Sequence, residues 1–394
     1  MSSRRRAGRA MKAPFKASEL LWIWSGAPWS WAWIRDDGSP ARELHRFFHR
    51  YSRNERGPIG RVLSAVAFIL GIPVVVGMIA LLTVRHGRRI RREENKGRVR
   101  QAGEQLGLWL RRGVLPLSYY LFELYRDASR VRALDYLYRH ETKSGLYPVL
   151  RARFSSAETT MALQDKALFA RRCHEHGVPA VAALFVVDRG TITRFDEGDE
   201  ELPSSDLFLK PLSGSGGKGA AMWTYLGDGR YRNADVGTVN ATQLSDELRA
   251  LSHRQPYVGR AYVTNHPELA EISSGALSSI RVVTCLDEHD IPEVTHAVLR
   301  MARTPGIVVD NFHAGGIAAP IDLNSGVVGR ATDLGLRRDT QWFDAHPTTG
   351  ARITGRRIPM MGRRCWTSRV APTSHSSTRS SSGGTWRSSR KART

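Results

Sequence analysis

An α+β fold is predicted for this chain, preceded by a helical region and one transmembrane helix. Three observations lead there. Val62 to Val84 form a run of 23 residues without a charge. Between Gln101 and Tyr147, apolar residues recur at the spacing of one helix face. From Leu163 onward helix and strand patterns alternate, and one short apolar run ends in a lysine set against a glycine-rich turn.

Residues 1–61 form a basic N-terminal region, expected to be partly disordered. Its tryptophan patch, from Leu21-Trp-Ile-Trp24 to Trp33, suits a membrane interface or a small hydrophobic cluster equally. The uncharged run at 62–84 rises about 1.5 Å per residue and so crosses a hydrocarbon core of about 30 Å with some tilt. It lacks the polar stripe of a core helix. It also stands too far from Met1, with too long an apolar core, for a cleaved signal peptide. Gly71 and Pro73 leave a kinked span, a re-entrant hairpin and an interfacial segment open beside the single crossing. Eight basic residues occupy positions 85–100 and five occupy 46–61, which points the C-terminal side to the cytoplasm.

The basic stretch 85–150 follows as a helical adaptor, with Leu115, Tyr119, Leu121, Phe122, Tyr125, Val131, Leu134, Tyr136 and Leu137 on its apolar positions. Residues 151–360 are the candidate catalytic domain. There Asp165-Lys166 opens a helix that closes at Gly177-Val-Pro179, and a strand follows at Ala182–Val187.

Leu207-Phe-Leu-Lys210-Pro-Leu-Ser213-Gly214-Ser215-Gly216-Gly217-Lys218-Gly219 carries the most chemistry. Glycines let successive backbone N–H groups point into one concavity and let the chain approach a polyphosphate, while the lysines supply charge. Ala220 after Gly219 rules out a Walker loop. The short run that follows, broken at Gly227-Asp-Gly229, fits strand–loop–strand rather than the strand–loop–helix of a dinucleotide fingerprint. The loop is expected to clamp a nucleotide; a flexible surface turn is the alternative. ATP is a cytoplasmic substrate, so a nucleotide loop requires the same orientation as the basic residues beside the span.

A formal charge of +22 suggests nucleic acid, but its distribution argues against that partner. Residues 1–153 hold 30 Lys and Arg against 12 Asp and Glu, residues 154–360 hold 21 against 25, and residues 361–394 hold 8 against none. The part with the glycine loop is therefore mildly acidic and offers no broad cationic face. Cys173, Cys285 and Cys365 have neither metal-ligand spacing nor a disulfide framework and fit a reducing compartment.

Taken in order, Asp165-Lys166, Gly177-Val-Pro179, Leu207–Pro211 with its glycine loop, Ser279-Ile-Arg281-Val-Val-Thr284, Arg300, Val309-Asp310-Asn311-Phe-His-Ala-Gly315-Gly316 and Asp322-Leu-Asn-Ser-Gly326 resemble the ATP-grasp superfamily. Within it they resemble the sugar-transfer-associated branch, related to alpha-L-glutamate ligases, over roughly residues 115–360. The resemblance implies an ATP-grasp fold, two lobes sandwiching ATP, with a glycine flap over the phosphates. Lys166 and Lys210 would hold the alpha and beta phosphates, and Lys218 with the N–H groups of 214–219 the gamma phosphate. The adenine hinge corresponds to Gln255-Pro256-Tyr257-Val258, where the family's usual hinge acid is missing. Arg281 and Arg300 would stabilise an acyl phosphate, or form strand-edge salt bridges. Asp310 and Asn311 offer oxygens to Mg2+; for Asn311 an Asx-turn fits as well. His313 reads as a loop residue, and His174 and His176 as solvated or C-capping.

The resemblance breaks after Pro359. Family members continue there to a strand ending Glu-x-Asn that binds magnesium, whereas residues 361–394 hold nine serines, eight basic residues and no carboxylate, a composition expected to be disordered. Taking the last base of each codon with the first two of the next, and with G/C-rich codons chosen, Ser381–Ala392 with the start of Arg393 can encode Phe-Gly-Trp-Asp-Val-Ala-Ile-Leu-Glu-Glu-Gly-Pro, the missing strand and turn. The expected function is that of a membrane-anchored carboxylate–amine ligase of unknown carboxylate and amine-type acceptor, using ATP and Mg2+ and impaired at its metal-binding end. The alternative is a nucleotide-binding pseudoenzyme or scaffold in envelope polysaccharide assembly.

Overall fold

The computed structural model describes residues 37–358 apart from 56, 143–145, 155, 157–160, 162, 196–199, 214–218, 288, 307–308, 313–314 and 334–341. The tryptophan patch, the glycine and lysine residues 214–218, His313 and the tail 361–394 lie outside the described residues.

Helix α1 (Pro40–Glu55) leads into α2 (Gly57–Glu94), which is 38 residues long and runs without a break through Gly71 and Pro73. The re-entrant hairpin left open by those two residues does not form. The chain then reverses at Asn95, which has φ 52°, and α3 (Arg98–Arg112) returns along α2. Three contacts set the antiparallel register. Gln101 Nε2 donates to the Gly87 carbonyl at 3.2 Å, Gln105 Nε2 donates to Thr83 Oγ1 at 2.9 Å, and the Trp109 ring stacks on Phe68 with centroids 5.1 Å apart. Phe48 of α1 joins Phe68, Val75, Ile79 and Trp109 in one buried cluster. The apolar helix is therefore not a lone rod, because a polar helix covers one side of its second half.

Gly113, at φ 66°, closes α3 by giving its N–H to Trp109 O at 3.0 Å, and α4 (Pro116–Leu121) follows. Tyr119, Tyr120, Leu124, Tyr125 and Tyr138 pack beneath it with Ile90 of α2. The junction is pinned by Lys96, whose buried Nζ donates to Glu104 at 3.2 Å and to Tyr125 O and Asp127, each at 2.5 Å. His45 ties α1 to this region with ring nitrogens 2.6 Å from Glu141 Oε1 and 3.0 Å from Leu134 O. Several residues read as the adaptor's apolar positions thus share one buried cluster with Ile90 of α2, while Val131 is exposed.

Helix α5 (Lys166–Glu175) starts where Asp165 accepts the N–H groups of Ala167 and Leu168, at 2.8 and 2.9 Å. The strands β1 (Ala183–Asp188), β2 (Thr191–Arg194), β3 (Leu207–Pro211), β4 (Ala221–Gly227), β5 (Arg230–Asn233), β6 (Gly237–Asn240) and β7 (Tyr257–Ala261) form one sheet in the order β2-β1-β7-β3-β4-β5-β6. Between β6 and β7, α6 (Ala241–Ser252) begins at a reciprocal cap. Asn240 Oδ1 accepts from Gln243 N at 2.8 Å and Gln243 Oε1 accepts from Asn240 N at 3.0 Å.

Period-two alternation divides this sheet. Phe185, Val187, Leu207, Leu209 and Trp223 point to the side where Leu244 and Leu248 of α6 close the core. Phe208, Lys210, Val258 and Arg260 share the opposite face through the pairs Phe208↔Arg260 and Lys210↔Val258. After β7 and the short α7 (Pro267–Ala270), a second sheet runs β10-β9-β8, from β8 (Ser279–Leu286), β9 (Pro292–Met301) and β10 (Ile317–Ile321). Its core face carries Ala297, Leu299, Met301, Ile317, Ala319 and Ile321. Trp342 Nε1 donates to Glu123 at 2.7 Å, a contact between this last part of the chain and the helical adaptor.

β7 is central to the first sheet and depends on one glycine. Phe185 sits opposite Gly259 in register, and a Cβ there would lie 2.2 Å from the phenyl ring. Gly259→Ala is expected to destabilise the full chain by roughly 1–3 kcal/mol, the range for overpacking a tight core. The melting temperature in detergent measures this, and an unchanged value would show that Phe185 can turn aside.

Candidate functional site

The site is assembled where α5, β3 and β7 meet. Lys166, the first residue of α5, turns its Nζ to the carbonyls of Pro211 and Leu212, at 3.0 and 2.8 Å. It therefore clasps the point where β3 ends and the glycine loop begins. Lys210 stands on β3 one residue before that point, half-buried, with Nζ 5.8 Å from the Phe208 ring centroid and no hydrogen bond among the described residues. Arg260 on β7 completes the group by donating from Nη2 to the Lys166 carbonyl at 2.6 Å. Its Nε is buried without a partner.

The electrostatics follow from that crowding. Burial first, then the charges of Arg260 and Lys166, push Lys210 down to about 8. Burial and Arg260 also lower Lys166, against a smaller opposing pull from Asp165. No salt bridge to Lys210 or Arg260 exists among the described residues. Three half-buried cations that repel one another are stabilised by an anion between them, and a polyphosphate supplies several negative oxygens at once.

Lys166 and Lys210, predicted from the sequence, are thus brought together, and Ser213 and Gly219 stand at the two ends of the loop. Gly219 has φ +73°, and a Cβ on it would meet Pro211 at 3.3 Å and the Tyr257 hydroxyl at 3.4 Å. Gln255 Nε2 donates to that hydroxyl at 3.4 Å, so Gln255 and Tyr257 line the loop's exit. Arg260 is the residue that sequence reasoning missed. The signal was present in Tyr257-Val-Gly-Arg260-Ala, a charge inside an otherwise apolar strand.

Of the expected adenine hinge, Gln255 and Pro256 precede β7, and Tyr257 and Val258 belong to it. Tyr257 and Val258 lie inside β7, paired to Val187 and Val186 on one side and to Pro211 and Lys210 on the other. Their backbone is held within the sheet. β7 ends at Ala261, Tyr262 N still donates to Asp206 O at 3.1 Å, and residues 262–278, which include the short helix Pro267–Ala270, connect to the second sheet. Asn265 fixes its far end by accepting from Ser278 N at 2.7 Å and donating to Ala276 O at 2.9 Å.

The second sheet gathers the other predicted residues. Ser279 pairs with Arg300 and Arg281 with Val298, which puts Ser279, Arg281 and Arg300 on one face, opposite the core. Arg300 Nη2 donates to Asp310 Oδ1 at 2.8 Å and also contacts Asn311 Oδ1, while the Ser279 hydroxyl donates to Asp310 Oδ2. Gly316 makes the cluster possible, since a Cβ there would stand 2.4 Å from the Asp310 carbonyl. Arg281 is exposed and has no salt bridge among the described residues.

The oxygens of Asp310 and Asn311, expected for Mg2+, each accept a hydrogen bond from Arg300 or Ser279. Among the described residues no three His, Cys, Asp or Glu side chains converge as a metal centre. One carboxylate paired to a guanidinium does not fit a resident magnesium site. Asp322 serves a turn instead, its Oδ1 accepting from Ser325 N at 2.7 Å and Asn324 N at 3.2 Å.

A family model described as sugar-transfer associated ATP-grasp matches residues 149–368, more than half of the chain. No curated protein and no solved structure matches.

An anion binds the protonated form of Lys210, so above pH 8 the protein must take up a proton to bind. Affinity for a non-hydrolysable ATP analogue is expected to be full below pH 8 and to fall by up to about tenfold per unit above it. Lys210→Ala and Arg260→Gln should each weaken binding by ~1.5–3 kcal/mol, the range for charged hydrogen bonds. The first should also remove the pH dependence. Calorimetric titration at several pH values checks all three, and unchanged affinity in both variants would refute the site.

Proposed function

Because the chain belongs to the sugar-transfer associated ATP-grasp family, we propose that it binds ATP at Lys166, Lys210 and Arg260 and uses it to join a carboxylate to an amine-type acceptor. The observation that carries this reading is the convergence of three cations, without a carboxylate partner for Lys210 or Arg260, at the mouth of the glycine loop. The loop residues Gly214, Ser215, Gly216, Gly217 and Lys218 would close over the outer phosphates. Gln255, Tyr257 and Val258, at the loop's exit, would border the adenine.

The chemistry of the class is a two-step displacement. A carboxylate oxygen attacks the gamma phosphorus, the bond from that phosphorus to the bridging oxygen breaks, and ADP leaves with the electron pair. The acceptor nitrogen then attacks the acyl carbon, expels phosphate and loses a proton. Arg281 and Arg300 share a face of the second sheet, and guanidinium groups there suit the oxygens of an acyl phosphate. Arg300 would do so only after leaving Asp310, so the pair described above is a resting arrangement. Mg2+, implied by the family, is assigned to the nucleotide phosphates and to no chain residue.

Membrane attachment through α2, with the nucleotide site on the cytoplasmic side, completes the proposal. The family description supports a setting in sugar transfer, such as envelope polysaccharide assembly. A second reading, a nucleotide-binding scaffold, is favoured by one observation: residues 361–394 contain no Asp or Glu to hold a metal.

Turnover separates the two. ADP formation by the full chain, assayed with magnesium against a panel of carboxylates, is expected to be low. Restoring the alternative reading frame, so that the tail ends in Glu-x-Asn, is expected to raise it by orders of magnitude. Full activity in the present chain would place the metal ligands elsewhere, and Asp310→Asn and Asp322→Asn are then the variants to assay.

A further inference from the structure

Helix α2 has two apolar faces, and only one of them is covered. Phe68, Val75, Met78, Ile79 and Ile90 are buried. On the opposite side Ile59, Val62, Val66, Leu70, Pro73, Gly77, Leu81 and Val84 follow one another at intervals of three and four, a single line along the helix. They are exposed, Ile59 at 76%, Leu70 at 69% and Val84 at 62%. From Ile59 to Val84 the line is about 38 Å long at the helical rise. It then continues without a change of face into Arg88 and Arg91, with Arg92 beside them, all exposed and without a salt bridge among the described residues.

A helix standing upright in the bilayer conflicts with its own neighbours. α3 runs back along α2 from Gly87 to Phe68, so Arg111 and Arg112 at its end lie near the level of Phe68 and Val75. If residues 62–84 crossed the hydrocarbon, both would lie near its middle; Arg112 donates to the Arg130 carbonyl at 3.3 Å, but Arg111 is exposed, and an exposed guanidinium there is disfavoured. Laid flat, the same helix puts the apolar line into one leaflet and leaves α1 and α3 in water.

We propose that α2 lies in the plane of the membrane on its cytoplasmic surface, with Ile59–Val84 among the acyl chains and Arg88, Arg91 and Arg92 on anionic headgroups, so that the chain does not cross. Charge complementarity selects this occupant. A second copy in parallel would oppose arginine to arginine, and residues 1–36 are themselves basic. An anionic lipid surface offers hydrocarbon and phosphate side by side.

The inference rests on α2 being the membrane attachment, and two experiments keep the claims apart. In the first, the full chain carries a compartment-sensitive reporter at either end in a bacterial cell. Both reporters are expected in the cytoplasm; an external N-terminal reporter would overturn the in-plane placement while leaving attachment intact. In the second, the purified full chain is mixed with phosphatidylglycerol-containing or pure phosphatidylcholine vesicles. Binding is expected to favour the anionic vesicles and to fall about fivefold for each of Arg88→Gln, Arg91→Gln and Arg92→Gln. Equal binding by the triple variant would overturn the headgroup assignment. A dimer that binds no vesicles, and gains solvent exposure on Leu70→Asp, would overturn attachment as well.

Discussion

The whole candidate site depends on how closely β7 lies against β1. Phe185 can cross β7 only because Gly259 has no side chain, and that packing puts β7 between β1 and β3. Once β7 is there, Arg260 falls opposite Phe208 and on the same face as Lys210. The guanidinium then reaches the first carbonyl of α5, and Lys166 on that helix reaches back to the end of β3. A single missing Cβ therefore propagates, through strand register, into the spacing of three charges.

Those charges are held together against their own repulsion. In water two cations at close range repel weakly, but the effective dielectric at a half-buried site strengthens the effect several-fold. The depressed Lys210 reports that tension. Carbonyls of Pro211, Leu212 and Lys166 relieve part of it, as donors spend themselves on backbone acceptors rather than on carboxylates. The second sheet follows the opposite logic: Arg300 is neutralised by Asp310 and Arg281 is not. One face thus holds unbalanced charge, and the other a balanced pair beside Arg281.

The N-terminal half is governed by solvent instead. α2 resembles a membrane span by composition, yet its inner side joins a soluble-type core through Phe68, Trp109 and the buried Gln101 and Gln105. An arginine at the bilayer centre costs roughly 2.5–3.5 kcal/mol on insertion scales, and α3 would bring two of them near it. The packing of a neighbour, rather than the hydropathy of the helix, limits where the helix can go.

The two lysines at the candidate site, the arginines on their strands, the alternation of elements and the apolar helix were all legible in the sequence, because each is written in local spacing or in a short run. Helix caps such as Asp165 and strand alternation at Leu207–Lys210 need only near neighbours. Arg260 and the capture of Asp310 by Arg300 were not legible. Each depends on which distant strand or loop comes alongside, and strand register is fixed by packing between residues far apart in the chain. The continuity of α2 through Pro73 and its coverage by α3 were decided in the same way. Composition fixed how apolar the helix is; only tertiary contact decided which of its faces is left for something else to cover.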